Sequence, residues 1–180
     1  MKKLLWTTLV LFTFETIAIV GANWATGYLG DGTLTLSRYV GLNPWSIIAF
    51  GIINFGIIIL LTIYATKQKL DIFLLTMLFN ICYLTISLCP HVPYESPVVS
   101  IHQIFAIALF IIMLLIGVLL YNKSSKLPRL LTGIFILFGL HFIFAYANHL
   151  PYFMNGVLYW EIAYIYLFFI ALLANNTENR

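Results

Sequence analysis

Six long apolar stretches divide this chain from end to end: Leu4–Ala22, Pro44–Ala65, Ile72–Leu88, Val99–Tyr121, Leu130–Asn148 and Val157–Ala174. About 20 apolar residues make a helix that crosses the hydrocarbon layer of a bilayer. Hydrocarbon accepts only segments whose backbone polar groups are satisfied from within, so stretches of this kind have to be helices. With 62% hydrophobic residues and a mean hydropathy of +1.00, the chain has more apolar surface than a soluble fold of its length can hide. The expected fold is an all-α integral membrane protein. No connection is long enough for a second domain, so residues 1–180 should form a single bundle of six transmembrane helices.

The charges fix an orientation. Of the nine Lys and Arg, eight lie at Lys2, Lys3, Lys67, Lys69, Lys123, Lys126, Arg129 and Arg180, in every second gap between runs, and Arg38 stands apart. By the positive-inside rule, Thr66–Asp71, Asn122–Arg129 and both termini are then cytoplasmic. Asn23–Asn43, Cys89–Val98 and His149–Gly156 fall outside, and the last two contain no Lys or Arg. Met1-Lys2-Lys3 ahead of Leu4–Phe14 has the pattern of a secretory signal. Glu15 interrupts that run, and no small-x-small cleavage site follows cleanly, so an uncleaved first helix is expected. A formal charge of +3 spread over several loops points to no nucleic-acid partner, whereas contact with anionic lipid is in keeping with it.

Cys82 and Cys89 are seven residues apart. On a continuous helix they are separated by about 10 Å, beyond disulfide reach, so both are expected as buried thiols. The first outer segment is the richest in polar groups, and Thr33-Leu34-Thr35-Leu36-Ser37 alternates with period two. An extended piece over the bundle mouth is the corresponding expectation, with Gly27, Gly30 and Gly32 supplying turns.

Ionisable and amide groups inside the runs are costly in hydrocarbon and turn towards partners or water. At 1.5 Å per residue, Glu15 and His141 each lie about 16 Å from the cytoplasmic boundary, near or past the midplane. Asn80 is mid-helix. His102, with Gln103 beside it on another face, and Glu161 fall about one turn in from the outer boundary. The cytoplasmic half is read as almost purely apolar. Glu15, His102, His141 and Glu161 therefore share a depth, which suggests either one outward-facing polar pocket or mutual helix–helix contacts.

GxSxG, HExxH, Walker-type glycine loops and CxxC are all absent. Zinc would need His91, His102, His141 and His149, whose spacings match no ligand pair on one helix; neither a metal nor a cofactor is expected. Ser37, Ser87, Ser96 and Ser100 are outer-side hydroxyls, and none stands out as a nucleophile. Glycine spacing (Gly51 with Phe55 and Gly56; Gly133 with Gly139) allows some close helix approach without a clean GxxxG pair. Aromatics such as Trp6, Trp24, Trp45, Tyr121, Tyr152 and Trp160 form an interfacial belt.

Three segments carry a resemblance. Leu36-Ser37-Arg38-Tyr39-Val40-Gly41-Leu42-Asn43-Pro44-Trp45-Ser46, leading to Phe50 and Asn54, comes first; Asn80 with His102 follows, and then Tyr159-Trp160-Glu161. Together they resemble the outer loop, helix entries and last helix of the damage-regulated autophagy modulator and FGF-receptor-activating-protein-like superfamily. Arg38 departs from its eukaryotic members, where an acidic residue is common. The resemblance implies six helices with cytosolic termini and an association with lipids. The short loops suggest a bacterial member acting in the cytoplasmic membrane.

The leading functional expectation is a lipid-interacting protein whose pocket takes a lipid headgroup or small polar ligand. Its site residues would be Arg38, His102, Glu161, His141, Glu15 and Asn80, with Arg38 suited to a phosphate. The alternatives are an intramembrane hydrolase or acyltransferase with His102 as base and Glu161 orienting it, and a small-solute transport subunit. Membrane lipids are the expected partners; transport by so small a chain would require a second copy or a partner membrane protein.

Overall fold

The computed structural model describes residues 1–25, 27, 36–42, 44–88 and 97–176. Within them the chain is helical: α1 (Lys2–Ala25), α2 (Leu36–Leu42), α3 (Pro44–Ala65), α4 (Leu70–Leu88), α5 (Pro97–Lys123), α6 (Lys126–Ala147), α7 (Pro151–Met154) and α8 (Val157–Asn175). Six of these are long and apolar enough to cross a membrane. Three helices, α3, α5 and α7, start on a proline, where the missing N–H costs nothing because no intrahelical acceptor exists for it. Thr8, Thr13, Thr16, Thr62, Thr76, Thr85 and Thr132 return their hydroxyls to the carbonyl four residues back, which satisfies a polar group in lipid without an outside partner.

The long helices pack in the cyclic order α1, α3, α4, α5, α6, α8, and α8 closes the ring against α1 while also reaching α5. Ile52, Leu70, Leu88, Ile104 and Leu137 are more than three-fifths exposed; on a lipid-facing wall such side chains are in their proper solvent. The interior is aromatic. Tyr164 of α8 stacks on Phe135 at 5.0 Å and on Phe142 at 5.5 Å, and its hydroxyl donates to the Phe110 carbonyl at 3.2 Å. Gly139 makes this approach feasible: a Cβ there would lie 2.7 Å from the Tyr164 ring.

The two ends of the bundle differ. At one end, Gln68 beside the α3–α4 turn reaches Met1, and Asn176 after α8 donates to Tyr64 Oη at 3.1 Å. Asn175 donates to Thr132 Oγ1 at 2.9 Å and accepts from Ser124 Oγ. Lys2, Lys3, Lys67, Lys69, Lys126 and Arg129 belong to this end. Ser124, Asn175 and Asn176 lie beyond the apolar runs, and Thr132 and Tyr64 just inside them. At the opposite end lie α2 and α7. Asn23 Nδ2 of α1 donates to the Tyr39 carbonyl at 3.0 Å and to Ser46 Oγ at 3.3 Å, joining α1, α2 and α3.

The expected extended segment needs correction where it can be seen. Leu36 and Ser37 open a helix, while Thr33–Thr35 lie outside the described residues, as do Gly30, Gly32, Cys89, His91 and Ser96. Gly27 has φ 73, the left-handed turn conformation that glycine reaches without strain. α6 ends in a similar device. His149 has φ 49, with its N–H on the Tyr146 carbonyl and that of Leu150 on the Ala145 carbonyl, a Schellman closure built without glycine.

Candidate functional site

His102, in the second turn of α5, and Glu161, the fifth residue of α8, both sit at the end that carries α2 and α7. They border the same groove, a cavity of about 320 Å³ between α5, α6 and α8. His102, Gln103 and Glu161 form its polar end; Ile107, Phe110, Ile111, Phe142 and Ile143 line the rest. From His102 to Ile111 the wall runs about 13 Å at the helical rise. Ile107, Ile111 and Ile143 are themselves exposed, so the groove opens sideways on the outer face of the bundle. Its volume lies at the lower end of the range for small-molecule sites.

Glu161 has a second task. Its Oε2 accepts the Leu36 N–H at 2.7 Å, the first backbone donor of α2. An orphan donor at a helix start is ordinarily satisfied by a residue of its own segment; here α8 supplies the acceptor from 125 positions away. α2 is thereby held at the inner side of the groove. Arg38 follows two residues on, half-buried, and is not among the lining residues.

Deeper in the bundle a smaller cavity of about 40 Å³ lies behind the groove. It shares His102, Ala106, Phe110 and Glu161 with the groove and extends to Phe12, Phe50 and Tyr83. Tyr83 leads to Glu15, which is fully buried: Tyr83 Oη donates to Glu15 Oε2 at 3.2 Å. A terminal atom of the Asn54 carboxamide lies 2.7 Å from Glu15 Oε1 and 3.2 Å from Oε2. The other terminal atom is 2.9 Å from Ser87 Oγ, and that hydroxyl donates to the Tyr83 carbonyl at 2.7 Å.

The residues grouped by depth thus divide. His102 and Glu161 line the same groove, as does Gln103 despite the expectation of a different face, and Glu15 connects to them through Tyr83 and the small cavity. His141 does not join. It lies on the exposed side of α6, with Nε2 3.2 Å from Tyr152 Oη and its ring against Trp160. Asn80 is also separate, since its amide donates to Thr62 Oγ1 at 2.9 Å between α3 and α4.

Among the described residues no three His, Cys, Asp or Glu side chains converge as a metal site would require, and no Ser or Cys lines either cavity. Asn54 and Tyr83 were not expected at the site from residue type and depth. Asn54 had two signals, an amide ten residues into one apolar run and its place at the end of the first resemblance segment; Tyr83, a phenol inside an apolar run, had none of its own. No protein-family model, no curated protein and no solved structure matches this chain.

Proposed function

We propose that this protein binds a lipid, with one chain in the groove between α5, α6 and α8 and the headgroup at His102, Gln103 and Glu161. The observation that carries this reading is the groove's division. One end is polar, the remainder is apolar for about 8 Å of helix from Ala106 to Ile111, and the opening faces the surface where lipid lies. A small polar solute would leave the apolar length unused; an amphiphile fills both parts. Arg38, the one Lys or Arg at this end among the described residues, adds a positive charge suited to a phosphate.

The basic end is assigned to the cytoplasm by the positive-inside rule, which gives cytoplasmic termini and a groove in the outer leaflet. The resemblance to the damage-regulated autophagy modulator superfamily belongs to this proposal, since it implies the same six-helix, lipid-associated setting in a bacterial cytoplasmic membrane. Binding is favoured over nucleophilic catalysis because the described hydroxyls at the two cavities are the phenols of Tyr146 and Tyr83, and Tyr83, the one that donates to a carboxyl, Glu15, lines the small inner cavity and not the groove.

Native mass spectrometry of the full chain released from nanodiscs tests the reading. The wild type should retain a phospholipid, and Ala147→Trp, which fills the groove, should lose it. Glu161→Gln and His102→Ala should weaken retention without abolishing it. Equal retention by wild type and Ala147→Trp would remove the groove as the binding site.

A further inference from the structure

Lipid binding in the groove leaves the buried carboxyl of Glu15 unused. A carboxyl group near the middle of a membrane helix is expensive to keep there and marks function more often than structure. Its hydrogen-bond partners are an amide and a phenol, and neither carries a positive charge.

The Asn54 carboxamide can satisfy this carboxyl in two ways. With Nδ2 towards Glu15, it donates to Oε1 at 2.7 Å and to Oε2 at 3.2 Å, while Oδ1 accepts from Ser87 Oγ at 2.9 Å. That arrangement suits an ionised carboxylate, which only accepts. With the amide turned over, Nδ2 donates to Ser87 Oγ at 2.9 Å, and the Ser87 hydroxyl donates to the Tyr83 carbonyl at 2.7 Å. Asn54 Oδ1 then faces Glu15 Oε1, a contact made good when that oxygen carries a proton and donates. Its 2.7 Å separation is an ordinary length for O–H···O and short for N–H···O. In the first arrangement both Asn54 N–H groups have acceptors; in the second one N–H goes to Ser87 Oγ and the acid proton of Glu15 goes to Asn54 Oδ1, so each protonation state has an amide orientation that meets it.

The small cavity gives access. At about 40 Å³ it has room for water, and it joins Tyr83 to His102 and Glu161 at the groove. We propose that Glu15 is an exchangeable proton-binding site, reached from the groove past His102 and Glu161, with the Asn54 carboxamide turning over to match each protonation state. The proton enters as hydronium from bulk solvent; Glu15 carboxylate takes it to become the acid, and water is left. The titratable groups that face this site are Tyr83 on α4, His102 on α5 and Glu161 on α8, across the small cavity. α3 contributes Asn54, which does not titrate, and α2 carries Arg38. The site does not depend on a lipid occupying the groove.

Infrared difference spectroscopy between two pH values, on the full chain in nanodiscs, tests this directly. A carboxylic-acid carbonyl band should grow on acidification, shift in D2O, disappear in Glu15→Gln and persist in Glu161→Gln. Asn54→Leu, which removes the acceptor of the acid proton, should shift the band, and this variant decides the matter if Glu15→Gln fails to fold. Ala106→Phe, placed where the two cavities meet, should slow the D2O shift. A band untouched by both Glu15→Gln and Asn54→Leu, or the absence of any pH-dependent carboxyl band, overturns the site. A D2O shift as fast in Ala106→Phe as in wild type overturns the route. Loss of lipid retention in Ala147→Trp bears on the groove alone and leaves these outcomes unchanged.

Discussion

The bond from Leu36 N–H to Glu161 can be broken in two graded steps. A hydrogen bond to a charged acceptor contributes about 1.5–3 kcal/mol and a neutral one about 0.5–1.5 kcal/mol. Glu161→Gln keeps the oxygen and the shape, so α2 should lose about 1 kcal/mol of local stability. Glu161→Ala leaves the Leu36 N–H bare, at about 1–3 kcal/mol. Amide exchange read by mass spectrometry reports both, because Val40, Gly41 and Leu42 donate within α2 and exchange when it opens. Their exchange should accelerate roughly fivefold in the Gln variant and between about fivefold and 150-fold in the Ala variant. Leu137→Ala, on the lipid-facing wall, should leave these amides unchanged. Wild-type protection in Glu161→Ala would show that α8 does not hold α2, and the account of Glu161 at the inner side of the groove would fall with it.

Three further outcomes follow from packing. Gly139→Ala forces a methyl to within 2.7 Å of the buried Tyr164 ring and should cost about 1–3 kcal/mol in thermal unfolding, whereas Gly51→Ala, with no atom within 4 Å of the added carbon, should be near neutral. Asn175→Leu strips Thr132 and Ser124 of a shared partner and should destabilise by about 1–3 kcal/mol, measured by the same melt. His149→Gly relieves a left-handed side-chain conformation and should raise stability by about 1 kcal/mol; a lower melting temperature would contradict the backbone assigned there.

The six spans could be read from the chain because lipid leaves an apolar run no alternative to helix, and they were placed within a few residues. The short helices could not. Leu36 and Ser37 belong to an alternating pattern that suits a strand, and what makes them helical is an acceptor on α8, distant in sequence. Depth was legible too: counting residues put His102 and Glu161 at one level, and they share a groove. Rotational phase was not. His141 lies between Leu140 and Phe142, one exposed and one buried, and helices that are apolar all round give no inward stripe from which to judge its direction. Tyr83 and Asn54 were missed for a related reason, since their importance comes from Glu15 on another helix. The network of Ser124, Thr132 and Asn175 joins the α5–α6 turn to α6 and α8 and has no local signature.

The position of α8 bears on how this molecule is made. It is the last of the six spans to leave the ribosome, yet it packs against α1, α5 and α6 and supplies Tyr164, Phe168 and Phe169 to the interior. Glu15, Asn54 and Tyr83 lie on α1, α3 and α4, which precede α8, so the hydrogen-bond partners of the carboxyl are in place before α8. The groove and the anchor of α2 have to wait for Glu161. Without α8 the positions of Tyr164, Phe168 and Phe169 in the interior are a cleft, and lipid that fills it has to leave as α8 packs.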